Sequence, residues 1–185
     1  MPRITLVGYR GTGKSTVATL LAERFGCDSA DADLVLEERL GATIADVVRG
    51  RGEAAFRDAE ATILEDLLGS GVGVLATGGG VVLRAANRDL LRRLGRPVVW
   101  LTASADVIRE RLAADPHTRD RRPALVGDDP LAEIAEVLAA REPLYREVAD
   151  AAFDTAAMTP AAVADRIASW VDSAARPPTP REDRR

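Results

Sequence analysis

The chain has 185 residues, of which 46% are hydrophobic and 29% charged, with a net charge of -4 and a pI near 5.2. That length suits one compact domain and that balance an ordinary folded protein, which excludes a disordered or fibrous chain. The acidic balance argues against nucleic acid as the main partner, because phosphate backbones demand a basic surface; no apolar run reaches membrane-spanning length, and Cys27, the single cysteine, excludes an intrachain disulfide or a multi-thiolate metal site and reads as a small buried hydrophobe.

Met1-Pro2-Arg3 leads straight into Ile4-Thr5-Leu6-Val7, too short a run for a signal-peptide core, so the expected location is the cytoplasm. Those four apolar-rich residues read as a buried strand, residues 8–16 as a glycine-rich loop, and Val17, Leu20, Leu21 and Phe25 as one face of a helix. Residues 31–69 are mostly helical in pattern, with Thr43 as a cap, Asp46 behind it and Gly50-Arg51-Gly52 as a break; this insertion is placed to carry a substrate site. A second strand, loop and helix follow at Val74-Leu75-Ala76, Thr77-Gly78-Gly79-Gly80 and residues 87–94, and a third unit runs from Val98-Val99-Trp100-Leu101 into a helix over about 104–113. The polar, proline-containing stretch at about 113–129 reads as a closing lid. Ala151-Ala152-Phe153-Asp154 supplies a short last strand, Thr159-Pro160 opens a helix through Trp170, and the proline-rich tail 175–185 is expected to be disordered. Alternating strands and helices predict an α/β fold: three layers, α/β/α, around a mainly parallel sheet of about five strands, with residues 1–174 forming a single domain.

Gly8-Tyr9-Arg10-Gly11-Thr12-Gly13-Lys14-Ser15 fits G-x-x-x-x-G-K-[ST], with the strand before and helix after that this pattern needs. In it the glycines let successive N–H groups turn inward, the helix N-terminus adds positive character, Lys14 reaches the β- and γ-phosphates, and Ser15 binds Mg²⁺. Gly11, Thr12, Gly13, Lys14, Ser15 and Thr16 are therefore the ATP-binding candidates. Lys14 is the only lysine among 25 basic residues, so a chain that uses arginine everywhere else keeps a compact ammonium here. A guanine-nucleotide switch of the Asn-Lys-x-Asp type needs a second lysine, and many such switches orient a hydrolytic water with a glutamine; the chain has neither.

Other motifs follow in order: Asp31-Ala32-Asp33, Gly52-Glu53 with Phe56-Arg57 and Glu60, Thr77-Gly78-Gly79-Gly80, Arg122-Pro123, and Arg141-x-x-x-Tyr145. With the phosphate loop, this set resembles the shikimate kinase family, relatives of the nucleoside monophosphate kinases, over about residues 4–167. The resemblance implies phosphoryl transfer from ATP, with Mg²⁺, to the 3-hydroxyl of shikimate, giving ADP and shikimate 3-phosphate on the route to aromatic amino acids, with a closing lid; apart from the resemblance, a monomer is expected. It implies that Arg57 and Arg141 clamp the substrate carboxylate, that Asp33 binds the hydroxyls and orients the one that attacks, and that Gly79 and Gly80 let the backbone approach the ring. Asp31 would join Ser15 on the magnesium side, and Arg122 would come to the γ-phosphate with the lid, making Lys14, Asp33 and Arg122 the catalytic set. Arg111 is a candidate for the adenine face. An acid bearing neighbouring hydroxyls calls for guanidinium forks and a carboxylate, and both are available.

By spacing alone each of these has a plainer reading. Glu53, Arg57 and Glu60 fit an exposed ion-pair ladder, Asp31 and Asp33 fit a helix cap, and Gly78-Gly79-Gly80 fits a strand-ending turn. Were the segment extended through Asp33, both aspartates would share a face. His117, in the lid, reads as solvated. A kinase for another small acid, such as gluconate, is the nearest rival, and Arg57, the triple glycine and Arg141 argue for shikimate.

Overall fold

Five parallel strands, β1 (Ile4–Val7), β2 (Ser29–Asp31), β3 (Val74–Ala76), β4 (Val98–Thr102) and β5 (Ala151–Asp154), stand in the order β2-β3-β1-β4-β5 in the computed structural model, which describes residues 1–114 and 134–174. β1 lies between β3 and β4, with Leu6 level with Ala76 on one side and Val99 on the other. The helices are α1 (Lys14–Phe25), α2 (Ala32–Leu40), α3 (Ile44–Gly69), α4 (Ala85–Leu94), α5 (Ala105–Ala114), α6 (Ile134–Val148) and α7 (Pro160–Ala174). None of the described helices is long and apolar enough to cross a membrane.

Strand alternation sorts the core into two layers. Ile4, Leu6, Val74, Ala76, Val99 and Leu101 pack with Val17 and Leu21 of α1 and Val163 and Ile167 of α7. Val7, Leu75 and Val98 turn the other way, onto Leu36 of α2, Phe56 and Leu64 of α3, Leu91 of α4 and Tyr145 of α6. Both faces of a parallel sheet are thus covered, and each fully buried aliphatic side chain contributes about 1.5–3 kcal/mol. The three-layer architecture expected from the sequence is the one observed.

The predicted caps lie where the pattern puts them. Thr43 Oγ1 accepts the Asp46 N–H at 3.1 Å at the start of α3, and Thr159 Oγ1 accepts the Ala162 N–H at 3.2 Å at the start of α7. The expected break falls on Gly52, whose φ of 83° interrupts an otherwise continuous α3. Three features differ from the sequence reading. β2 is a strand the apolar pattern does not announce, because it is three residues long, at the sheet edge, and not fully buried. The segment is not extended through Asp33: Asp31 ends β2 and Asp33 already lies in the first turn of α2, so the two aspartates diverge. Cys27 is partly rather than fully buried, at the margin of the α1 layer.

Candidate active site

The parallel sheet gathers the C-terminal ends of its strands on one edge, and the singled-out residues there follow β1, β2 and β3. After β1 the chain turns through the phosphate loop. Thr12 Oγ1 donates to the Tyr9 carbonyl at 2.7 Å, and Lys14 Nζ donates to the same carbonyl at 2.9 Å, so the lysine folds back over the loop that carries it. Gly13 caps α1 with a φ of 89° and no side chain, leaving the first N–H groups of α1 facing the loop interior. Arg111 braces the loop from behind: its Nη1 donates to the Gly11 carbonyl at 3.2 Å and to Thr155 Oγ1 at 2.9 Å, and its Nη2 to the Thr155 carbonyl at 2.6 Å.

Asp31 does two jobs at once. Its Oδ1 accepts the Asp33 N–H at 2.9 Å, which is the helix cap the plainer reading foresaw, while its Oδ2 accepts the Ser15 hydroxyl. The cap therefore fixes the second oxygen beside Ser15. A hydroxyl and a carboxylate are hard oxygen donors of the kind Mg²⁺ takes alongside nucleotide phosphates, so Ser15 and Asp31 fit that ion. No cluster of three or more His, Cys, Asp or Glu with metal-site geometry occurs among the described residues.

The turn after β3 is where the remaining carboxylates and arginines meet. A Cβ on Gly78 would lie 2.8 Å from both Asp33 Oδ1 and Glu60 Oε1, and one on Gly80 would lie 2.1 Å from Arg57 Nη1. Residues lacking Cβ let these side-chain ends lie directly against the turn. Arg57 Nη1 donates to Glu60 Oε2 at 2.9 Å, with side chains 10% and 6% exposed, whereas its partner Glu53, at 3.2 Å, is 55% exposed. The ladder reading thus holds for Glu53 alone; Arg57 and Glu60 form a buried pair. From α6, Arg141 Nη1 donates to the Gly79 carbonyl at 3.1 Å, and the Tyr145 hydroxyl donates to the same oxygen. Burial, the largest influence on that phenol, keeps it protonated well above its ordinary range, and its ring stacks on Trp100 at 5.8 Å. Sequence reasoning gives Tyr145 no role. Its four-residue spacing from Arg141, which puts both side chains on one helix face, is the available signal.

Asp31, Asp33, Arg57, Gly79, Gly80 and Arg141 are therefore brought to one edge with the phosphate loop; a Cβ on Gly79 would sit 3.2 Å from the Arg10 backbone nitrogen. Arg122, His117, the lid beyond residue 114 and the tail 175–185 lie outside the described residues.

Known proteins resemble this chain over most of its length. A family model described as shikimate kinase matches residues 10–172. A shikimate kinase of Oleidesulfovibrio alaskensis is 46% identical over 167 residues, 90% of this chain and 95% of that one. Another, of Rhodopirellula baltica, is 44% identical over 150 residues, 81% and 80% of the two chains. The solved shikimate kinase of Acinetobacter baumannii in complex with shikimate superposes with a TM-score of 0.87 at 35% identity, covering 96% of each chain.

Proposed function

The chain belongs to the shikimate kinase family, and from that premise we propose that it transfers the γ-phosphoryl group of ATP to the 3-hydroxyl of shikimate, as a cytoplasmic monomer of one kinase domain. The observation that carries the reading of the site is the convergence of Asp33, Glu60 and Arg57 on Gly78 and Gly80, with Arg141 on Gly79, against the phosphate loop. Two guanidiniums suit a carboxylate, and a carboxylate suits vicinal hydroxyls.

Phosphoryl transfer leaves little covalent work to a protein, so placing the reactants and neutralising charge dominate. The backbone N–H groups of residues 11–16 and the N-terminus of α1 receive the β-phosphate, and Lys14 supplies positive charge to the β- and γ-oxygens. Ser15 and Asp31 would hold Mg²⁺, which would supply neutralisation of the phosphate charge. Arg57, oriented by Glu60, and Arg141, oriented on Gly79, hold the acid so that Asp33 meets the hydroxyls and positions the one that attacks. The lid, about residues 113–129, delivers Arg122 to the γ-phosphate and excludes water, and Arg111, anchored on Gly11 and Thr155, lies behind the loop on the adenine side.

ADP release with ATP and Mg²⁺ is measured in parallel with no acceptor, shikimate, gluconate and a nucleoside monophosphate, and the product is located by phosphorus NMR. Release that requires shikimate, with phosphate on the 3-oxygen, is the expected result. Release with another acceptor alone discards the pocket assignment.

A further inference from the structure

The turn that carries Gly78, Gly79 and Gly80 runs on into a single helical turn, Val81–Leu83, and backbone bonds join the two. The Val81 N–H donates to the Gly78 carbonyl at 3.2 Å and the Leu83 N–H to the Gly80 carbonyl at 3.0 Å. So short a helix leaves its own carbonyls in need of donors. Side chains of α4 supply them. Asn87, fully buried, donates through Nδ2 to the Val81 carbonyl at 3.0 Å, and Arg88 donates through Nη1 to the carbonyls of Val82 at 2.9 Å and Leu83 at 3.3 Å. The same guanidinium reaches α6, where its Nε lies 2.8 Å from Glu147 Oε2. These two side chains are 16% and 35% exposed, so the ion pair is partly shielded from water and firmer than one on open surface. α6 is also the helix whose Arg141 and Tyr145 donate to the Gly79 carbonyl. Arg88 thus closes a ring of contacts: from the glycines through Val82 and Leu83 to the guanidinium, on to Glu147, along α6 and back to Gly79.

We propose that Arg88 is a positioning residue for the acceptor: it sets the glycine turn against α6, and with it the fit of the acceptor pocket, without touching the substrate. This rests on the assignment of that pocket to the acceptor. Asp33, Glu60 and Arg57 lie against Gly78 and Gly80 with no room for a Cβ, so a turn that drifts on its support changes the spacing of all three. The role needs a guanidinium. One planar fork meets the carbonyls and Glu147 at the same time, whereas an ammonium must choose between them. The phosphate loop holds nucleotide with its own backbone, so loss of Arg88 falls on the acceptor and spares ATP.

The test measures ADP release and thermal unfolding for the full chain and for its Arg88→Gln, Arg88→Lys and Glu147→Gln variants, the Arg88→Gln/Glu147→Gln double variant, and Arg57→Ala. Ile167→Ala, which thins the core layer on the opposite face of the sheet, controls for lost stability. Arg88→Gln should raise the KM for shikimate about tenfold while keeping the KM for ATP within about twofold and kcat within about threefold. Arg88→Lys should fall between it and the native protein, and Glu147→Gln should raise the shikimate KM about threefold. The double variant should be no worse than Arg88→Gln, because both changes cut one link. Ile167→Ala should melt lower and keep the native shikimate KM. An unchanged shikimate KM in Arg88→Gln, a KM for ATP that rises with it, effects that multiply in the double variant, or the same rise in Ile167→Ala would each overturn the proposal. If Arg88→Gln does not fold, native shikimate KM values in Arg88→Lys and Glu147→Gln overturn it and raised ones uphold it. If Arg57→Ala raises the shikimate KM while the Arg88 and Glu147 variants do not, this inference alone fails; if the native protein releases no ADP with shikimate, the assignment beneath it fails as well.

Discussion

The two ends of the proposed site, one assigned to phosphate and one to the acceptor acid, are built differently. The phosphate end is eight consecutive residues, its donors mainly backbone N–H groups at the start of α1, with one side-chain ammonium folded onto its own loop at Tyr9. The acid end is assembled from α2, α3, the turn after β3 and α6, and its contacts are side chain to side chain or side chain to backbone over as many as 66 residues. A local site needs only a local pattern, whereas a distributed one depends on the whole layer that α3 and α6 form over the sheet. Damage to the phosphate end should therefore cost turnover with little loss of stability, and damage to the acid end should cost affinity and stability together.

The largest expected effect comes from the phosphate end. Lys14→Ala should lower kcat on the order of a thousandfold or more with a melting temperature close to native, measured by coupled ADP release and thermal unfolding. Substantial residual turnover would break the contrast at its strongest point. Next is Arg57→Ala. It should raise the KM for shikimate about a hundredfold and, because Glu60 is left charged and 6% exposed, destabilise by about 3 kcal/mol, roughly 10 °C in Tm. A normal melting temperature with weakened binding would show that the buried pair does not hold the layer. Gly80→Ala places a methyl group where Arg57 Nη1 now lies, and should raise the KM for shikimate about tenfold with KM for ATP unchanged. Smallest is Glu53→Ala, which removes the exposed partner of Arg57 and should move shikimate KM by less than about fivefold.

The same contrast explains what was legible beforehand. The phosphate loop, the strands β1, β3 and β4 and the cap at Thr43 follow from patterns within ten or so residues, and the structure contains them. The edge strand β2 has no apolar run to announce it, since Ser29, Ala30 and Asp31 pair on one side only, with β3. Spacing could not tell an exposed ladder from a buried pair at Glu53, Arg57 and Glu60, because that depends on the turn at Gly78 and Gly80 closing over one side of α3. Nor could it show Tyr145 and Arg141 sharing the Gly79 oxygen, a contact fixed by how α6 crosses the sheet. The double use of Asp31, as helix cap and as partner of Ser15, reconciles two readings that the sequence presents as rivals.

Lys14, the chain's one lysine, opens α1 and is 8% exposed, its amine held on the Tyr9 carbonyl. A lysine-specific endoprotease therefore has a single cleavable bond in the whole chain, Lys14–Ser15, and reaches it only when the loop and the first turn of the helix open. Splitting into two fragments becomes a clock for that local opening, and nucleotide should slow it in proportion to its occupancy of the loop.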